Sequence, residues 1–291
     1  MTPRPTFERV WFAYLAAVAA IAVVCSGSLA PGALWSHLGV HAVVFTAVAG
    51  THWIAVRRSH DAARWPRAAL AIVGLPVVFS AMAWLIPSVH PEPFEWACRA
   101  MDRAMFGDDA ANLADPWLSR PLNEVLQLVY ATFYVLPIAA CLAVKRGAGS
   151  AAFDRAVLAF VGGFLASYLG YLLVPTLGPK VVLAYERPVE GVWLAESVRR
   201  AIDAGEANPW DCFPSGHTWL AVTSLVVTWR WNRRWFLILL VPALVLIAST
   251  VLLRYHWVVD VMAGAGAAWP FVRLCDHLAD RDGWPAPITS S

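Results

Sequence analysis

Eight separate apolar stretches of this chain are candidates to cross a bilayer, and no other feature limits its fold so strongly. A spanning helix needs about 20 predominantly apolar residues. The stretches are 10–30, 38–56, 68–89, 125–144, 156–177, 215–229, 235–253 and 255–272. The sixth and eighth are the shortest, and both are polar in their first turn. The first is too long for the 7–15 residues of a signal-peptide core, so it is read as a span. Charged residues make up 14% of the chain, against about 25% in soluble domains. The 16 tryptophans suit the membrane–water boundary. The expected fold is all-α: a polytopic membrane helix bundle of about eight transmembrane helices. A net charge of +2 gives no reason to expect a nucleic-acid partner.

Orientation follows the basic residues. With the N-terminus inside, 14 of the 22 Lys and Arg fall on the cytoplasmic side, in clusters such as Arg57–Arg58, Lys145–Arg146 and Arg233–Arg234. Both termini are then cytoplasmic. Two long segments, 87–124 and 175–213, face outward. The first contains a run, 94–106, with Ala97, Met101 and Met105 at helical spacing and charges between them, which reads as a short helix on the membrane surface. The ends, 1–5 and 284–291, read as disordered.

Three outward-facing sequences carry the chemistry. Lys180 to Pro188 follows the fifth span and supplies Lys180 and Arg187. Pro214-Ser215-Gly216-His217 opens the sixth. Arg254-Tyr255-His256 with Asp260 opens the eighth. His256 and Asp260 are four apart, one helical turn, so the carboxylate can accept the imidazole N–H and stabilise its cation. Ser215 is a good N-cap, Gly216 lets a ligand approach the backbone, and a helix start attracts anions. His217 stands there to pass a proton to a leaving oxygen. Lys180, Arg187 and Arg254 add the positive charge on which phosphoryl transfer depends.

Together the three sequences resemble the type 2 phosphatidic acid phosphatase superfamily. Lys180–Pro188 fits its K-x6-R-P pattern, Pro214–His217 its P-S-G-H, and Ser249–Asp260 its third pattern, except that Thr250 stands in place of an arginine. Arg254, two residues before His256, is the expected replacement, and that form is similar to the inositol phosphorylceramide synthase-like branch. The resemblance implies a six-helix phosphatase core at 68–273, two additional N-terminal helices within 1–67 and a cytoplasmic tail at 274–291. It implies His256 as nucleophile, Asp260 orienting it, His217 as acid and base, and Lys180, Arg187, Ser215, Gly216 and Arg254 around the phosphate. It also implies catalysis without a metal or other cofactor. The expected activity is hydrolysis of a lipid phosphate or diphosphate at the extracytoplasmic face. The alternative is transfer of a phospholipid head group to an alcohol acceptor at the same residues. Expected partners are the lipid phosphate substrate and membrane lipids; the sequence is silent on oligomeric state.

Other reactive side chains have plainer readings. His41 and His52 suit interhelical hydrogen bonds, and His37, His60, His90 and His277 read as solvated near the membrane edges. The five cysteines read as small apolar fillers, with a Cys98–Cys212 pairing left open. The outer acids Asp102, Asp108, Asp109 and Asp115 lie on no span and form no metal-binding series.

Overall fold

The computed structural model describes residues 6–30, 32–185, 187–205 and 208–287. Among these residues the chain is helical, with no β-structure beyond an isolated bridge between Thr176 and Asp211. In chain order the α-helices are α1 (Thr6–Val24), α2 (Ala33–Arg57), α3 (His60–Val89), α4 (Glu95–Phe106), α5 (Ala110–Ala114) and α6 (Arg120–Ala131), then α7 (Leu136–Leu173), α8 (Pro179–Val182), α9 (Ala195–Gly205), α10 (Gly216–Trp231), α11 (Arg233–Leu252) and α12 (Val258–Arg281).

Six helices among the described residues, α1, α2, α3, α7, α11 and α12, are long and apolar enough to cross a membrane. The all-α polytopic bundle is therefore what the chain forms, and the difference from eight runs has a local cause. The fourth run is split between α6 and the 38-residue α7, which continues through most of the fifth run and is interrupted at Gly149 with φ 80° and ψ −172°, a region that essentially only glycine occupies. The chain folds back there. Phe133 and Phe164 have ring centroids 6.1 Å apart, whereas a straight helix would separate them by about 46 Å. The sixth run, α10, has only 16 residues, 11 of them buried. It packs among α7, α11 and α12, so its neighbours rather than lipid satisfy most of its surface. Ser224 and Thr228 there donate to backbone carbonyls one turn back, Leu220 and Ser224, at 2.8 and 2.6 Å.

The first two helices belong to the same packed body as the rest. α1 and α2 pack on each other, α2 on α3, and α1 on α7. At their shared end Arg67 donates to both oxygens of Glu8 at 2.7 and 2.9 Å, and Thr51 donates to Glu8 at 3.1 Å. His60 and Arg64 meet Asp154 of α7. Glu8 and Arg67 are buried, and removing one partner of such a pair leaves an uncompensated charge. His60 is thus engaged rather than solvated. So is His37, fully buried, its Nδ1 3.2 Å from the carbonyl of Ala81. Interhelical bonding falls to His37, because His41 turns its Nδ1 to the His37 carbonyl of its own helix.

The two ends of the bundle are distinct. Thr6 donates to Asp282 at 2.6 Å, joining the start of α1 to the end of α12. Trp284, read from sequence as disordered, is buried, and its carbonyl accepts from Arg155. At the far end of α12, about 36 Å away along its 24 residues, lie α4, α5, α8, α9 and the three sequences described above. α4 turns Trp96, Met101 and Met105 outward and Cys98 and Asp102 inward.

Candidate active site

Backbone hydrogen bonds stitch the three sequences together. Lys180 N–H donates to the Arg254 carbonyl at 2.8 Å, Cys212 N–H to Thr176 at 3.3 Å, and Ser215 N–H to Asp260 at 3.0 Å. The end of α11 is fixed in the same way, with the N–H groups of Tyr255 and His256 both donating to Thr250 at 2.9 Å. Segments far apart in sequence are therefore held by main-chain bonds, which do not depend on side-chain rotamers.

At the junction two imidazoles meet. His217 Nδ1 lies 3.2 Å from His256 Nε2, and both residues are buried. Behind His256, its Nδ1 lies 3.6 Å from Asp260 Oδ2. A proton on His256 Nδ1 facing that carboxylate leaves Nε2 as the acceptor, with a lone pair directed at His217. The rings touch, so a phosphoryl group must part them to enter between Nε2 and Nδ1. His256 also precedes its helix instead of lying on it. Trp257 is the N-cap, and Asp260, in the first turn, accepts the Trp257 N–H at 2.9 Å. The His–Asp pair is thus made by a helix cap rather than by two side chains on one helical face.

The other expected residues divide into two groups. Ser215 caps α10 by accepting the Thr218 N–H at 3.3 Å. Gly216 faces the Tyr171 hydroxyl so closely that any Cβ would collide with it, so protein, not ligand, makes the close approach there. Lys180 lines a polar cavity of about 370 Å³ together with His217 and His256, but its Nζ is paired with Asp203 at 2.7 Å. Arg187 and Arg254 are engaged elsewhere or exposed. The Arg254 guanidinium donates to Asp115 and to the Arg187 carbonyl and stacks over Tyr185 at 3.7 Å. The side chain of Arg187 is exposed. A ring of free cations around the two histidines, expected from sequence, is not assembled in this state.

Several residues that the sequence did not single out complete the site. Tyr130 of α6 stacks between His217, centroids 4.8 Å apart, and Tyr255, 4.4 Å apart. Phe133 packs against His217 too, with ring centroids 4.1 Å apart. Arg199 and Asp203 of α9 and the buried Asn208 line the polar cavity. Most consequential is Asp102. It is buried on α4, and its two oxygens accept the N–H groups of Val258 and Val259 at 2.8 and 3.0 Å, capping the helix that carries Asp260. Burial pushes the Asp102 carboxyl above its usual range, with the charges of Asp260 and Asp109 adding to the effect against the two N–H donors. Only Tyr255, next to His256, carried a signal in sequence.

Cys98 and Cys212 are free thiols, as are the other three cysteines. Both are buried near Asp260. Burial first, and then that carboxylate, push each thiol well up. Among the described residues, Cys212, His256 and Asp260 are the group whose ligand atoms lie close enough, within 4.8 Å, to share a metal ion. An ion there would compete with Asp260 for His256.

Comparison with known proteins points to one family. Residues 99–273, more than half of the chain, match the PAP2 superfamily. A PA-phosphatase related-family protein of Dictyostelium discoideum is 22% identical over 191 residues, which cover 58% of this chain and 35% of that protein. The chain thus spans about a third of that relative's length. No solved structure matches it.

Proposed function

The chain belongs to the PAP2 superfamily, and from that premise we propose that it is a membrane phosphatase that hydrolyses lipid phosphates through a phosphohistidine, at the extracytoplasmic face. The observation that carries this reading is the contact of 3.2 Å between His217 Nδ1 and His256 Nε2, with Asp260 at 3.6 Å behind the second ring. In the first step the His256 Nε2 lone pair forms a bond to phosphorus while the bond to the lipid oxygen breaks, and His217 gives that oxygen its proton. Asp260 stabilises the imidazolium that results. In the second step His217 takes a proton from water, the water oxygen bonds to phosphorus, and the P–N bond breaks to release inorganic phosphate. Lys180, which lines the same cavity as both histidines, holds the transferred group once a phosphate displaces Asp203 from it. The outward reading is supported by the basic clusters and by the position of the histidines, a helix length from the junction of the chain's two ends.

A second reading keeps the first step and lets an alcohol resolve the phosphohistidine, giving head-group transfer. The R-x-H-x3-D form of the third sequence favours it. One experiment separates these readings. Purified protein is incubated in EDTA with a panel of lipid phosphates and phospholipids, with and without diacylglycerol or ceramide. Release of inorganic phosphate is the expected result, and acceptor-dependent phospholipid product would make it a transferase. The His256→Ala variant should be inactive. His217→Ala should lose about 10²–10⁴-fold, and less on substrates with good leaving groups. Strict dependence on added divalent metal, or near-normal rates in His256→Ala, would defeat the mechanism.

A further inference from the structure

We propose that a cavity between α3 and α7 takes an apolar chain of the substrate and that the far end of this cavity sets a preferred length of roughly 17 carbons. The phosphate's position rests on the reading of the histidine pair above.

The cavity holds about 370 Å³. One end is formed by Gly216 and His217, and the other by Trp65 and Phe153. Phe79 of α3 and Phe164 of α7 stand in its walls. His217 also lines the polar cavity. A single imidazole therefore divides a polar chamber, which suits a phosphate, from an apolar one, which suits the alcohol part. That is where a leaving oxygen must lie to receive a proton from His217.

Length follows from helix geometry. From Phe79 to Trp65 is 14 positions along α3, about 21 Å. A fully extended backbone gains about 3.6 Å per three bonds, about 1.2 Å per bond, so this path accommodates roughly 17 carbons.

The far end is marked by a ring pair and a charge. The Trp65 and Phe153 rings are 5.5 Å apart, and Lys145 Nζ lies 4.2 Å over Trp65. A chain long enough to pass them would press against an ammonium group. Because lipid tails are already in an apolar phase, length preference here comes from fit, not from a gain in burial.

The test uses monoalkyl phosphates of 8 to 22 carbons at fixed mole fraction in detergent, with the full-length protein. Phosphate release should peak near 16–18 carbons. Ala71 lines the cavity eight positions from Phe79, so Ala71→Phe should move the peak to roughly 10 carbons. It should cut the 18-carbon rate at least about tenfold, as overpacking an apolar site does, and spare the 8-carbon rate. Trp65→Ala should move the peak to longer chains. Independently, a 16-carbon alkyl phosphonate with a terminal diazirine, which cannot be hydrolysed, should label the Trp65 and Phe153 region. Labelling there without phosphate release from any substrate would keep the chain site and defeat the phosphatase reading. Phosphate release with a flat length profile, unmoved by either substitution, or with labelling elsewhere, would overturn the chain site.

Discussion

Asp102 holds Val258: the buried carboxylate on α4 accepts that backbone N–H at 2.8 Å, 156 positions away along the chain. Its second oxygen takes Val259, and Asp260 takes Trp257, so three of the N–H groups that a helix start leaves unpaired end on carboxylates. The turn between His256 and Asp260 is thereby fixed from outside its own helix. Asp102→Ala should cost about 1–2 kcal/mol in stability, as loss of an N-cap does. It should also lower kcat by about 10–100-fold with little change in KM, because small misplacements of reacting groups are expensive. Asp102→Asn, which keeps one acceptor, should fall between. Steady-state kinetics beside a melting curve decide it. Normal kcat in a destabilised Asp102→Ala protein would leave Asp102 with a structural role alone.

Arg254 has φ 68°, a left-handed conformation uncommon outside glycine, and its guanidinium is tied to Asp115 and to the Arg187 carbonyl. If its work is to brace the loop before His256, Asp115→Asn should reproduce most of the effect of Arg254→Ala. The double variant should then be little worse than either single one. If the guanidinium instead leaves Asp115 to bind phosphate, Arg254→Ala should raise KM sharply while Asp115→Asn does not. The structure favours the first outcome, with both single variants destabilised by about 1–3 kcal/mol as buried polar groups lose partners.

Much of this was legible in the sequence where the signal was contiguous. Apolar runs gave the helices, and the short sequences around His217 and His256 gave the histidines and Asp260 that the fold brings together. What escaped was decided by partners remote in the chain. Nothing local distinguishes Asp102 from the solvated charges beside it on α4; only the arrival of α12 makes it a cap. Tyr130 and Phe133 sit in an apolar run with no pattern that marks a ring stack. The basic residues looked like a phosphate cradle because sequence shows their charge but not the acids that claim it. Lys180 meets Asp203 and Arg254 meets Asp115 only in the fold. His37 read as solvated because the run assigned to its helix began one residue later, whereas α2 begins at Ala33 and carries it inward.

Glu124 gives a pH test outside the histidine pair. Its carboxylate accepts the N–H groups of Val192, Trp193, Leu194 and Ala195 at the start of α9. These bonds, that of Trp193 foremost, pull its pKa from the ordinary 4.5 down to about 2. A lowered folded pKa means a contribution that is complete above 4.5 and lost as pH falls toward 2. α9 carries Arg199 and Asp203 of the polar cavity. In Glu124→Gln, proteolytic nicking within 186–208 should therefore increase at pH 7, and the gap from wild type should close between pH 4.5 and 2. An unchanged gap across that range would mean that the carboxylate's charge plays no part in holding α9.

Gly264 sets the spacing between the helices that present the two histidines. A Cβ there would run into the Ser215 carbonyl oxygen, with the Trp219 backbone nitrogen 3.3 Å away. Backbone atoms, unlike a flexible side chain, cannot swing aside. The Ser215 N–H that donates to the Asp260 carbonyl at 3.0 Å lies at the same contact. Gly264→Ala must then push α10 from α12, stretching that bond and the contact of 3.2 Å between His217 and His256. Helix propensity alone predicts a gain of about 1 kcal/mol from alanine; the collision predicts a net loss of about 1–3 kcal/mol instead. Activity should fall further than stability, because proton transfer from His217 depends on the distance that is stretched. Gly266, two residues on and with open space around its Cβ position, is the control. Gly266→Ala should keep wild-type turnover and melt no lower than wild type. Equal behaviour of the two alanine variants would remove the backbone contact from the account of how the histidines are aligned.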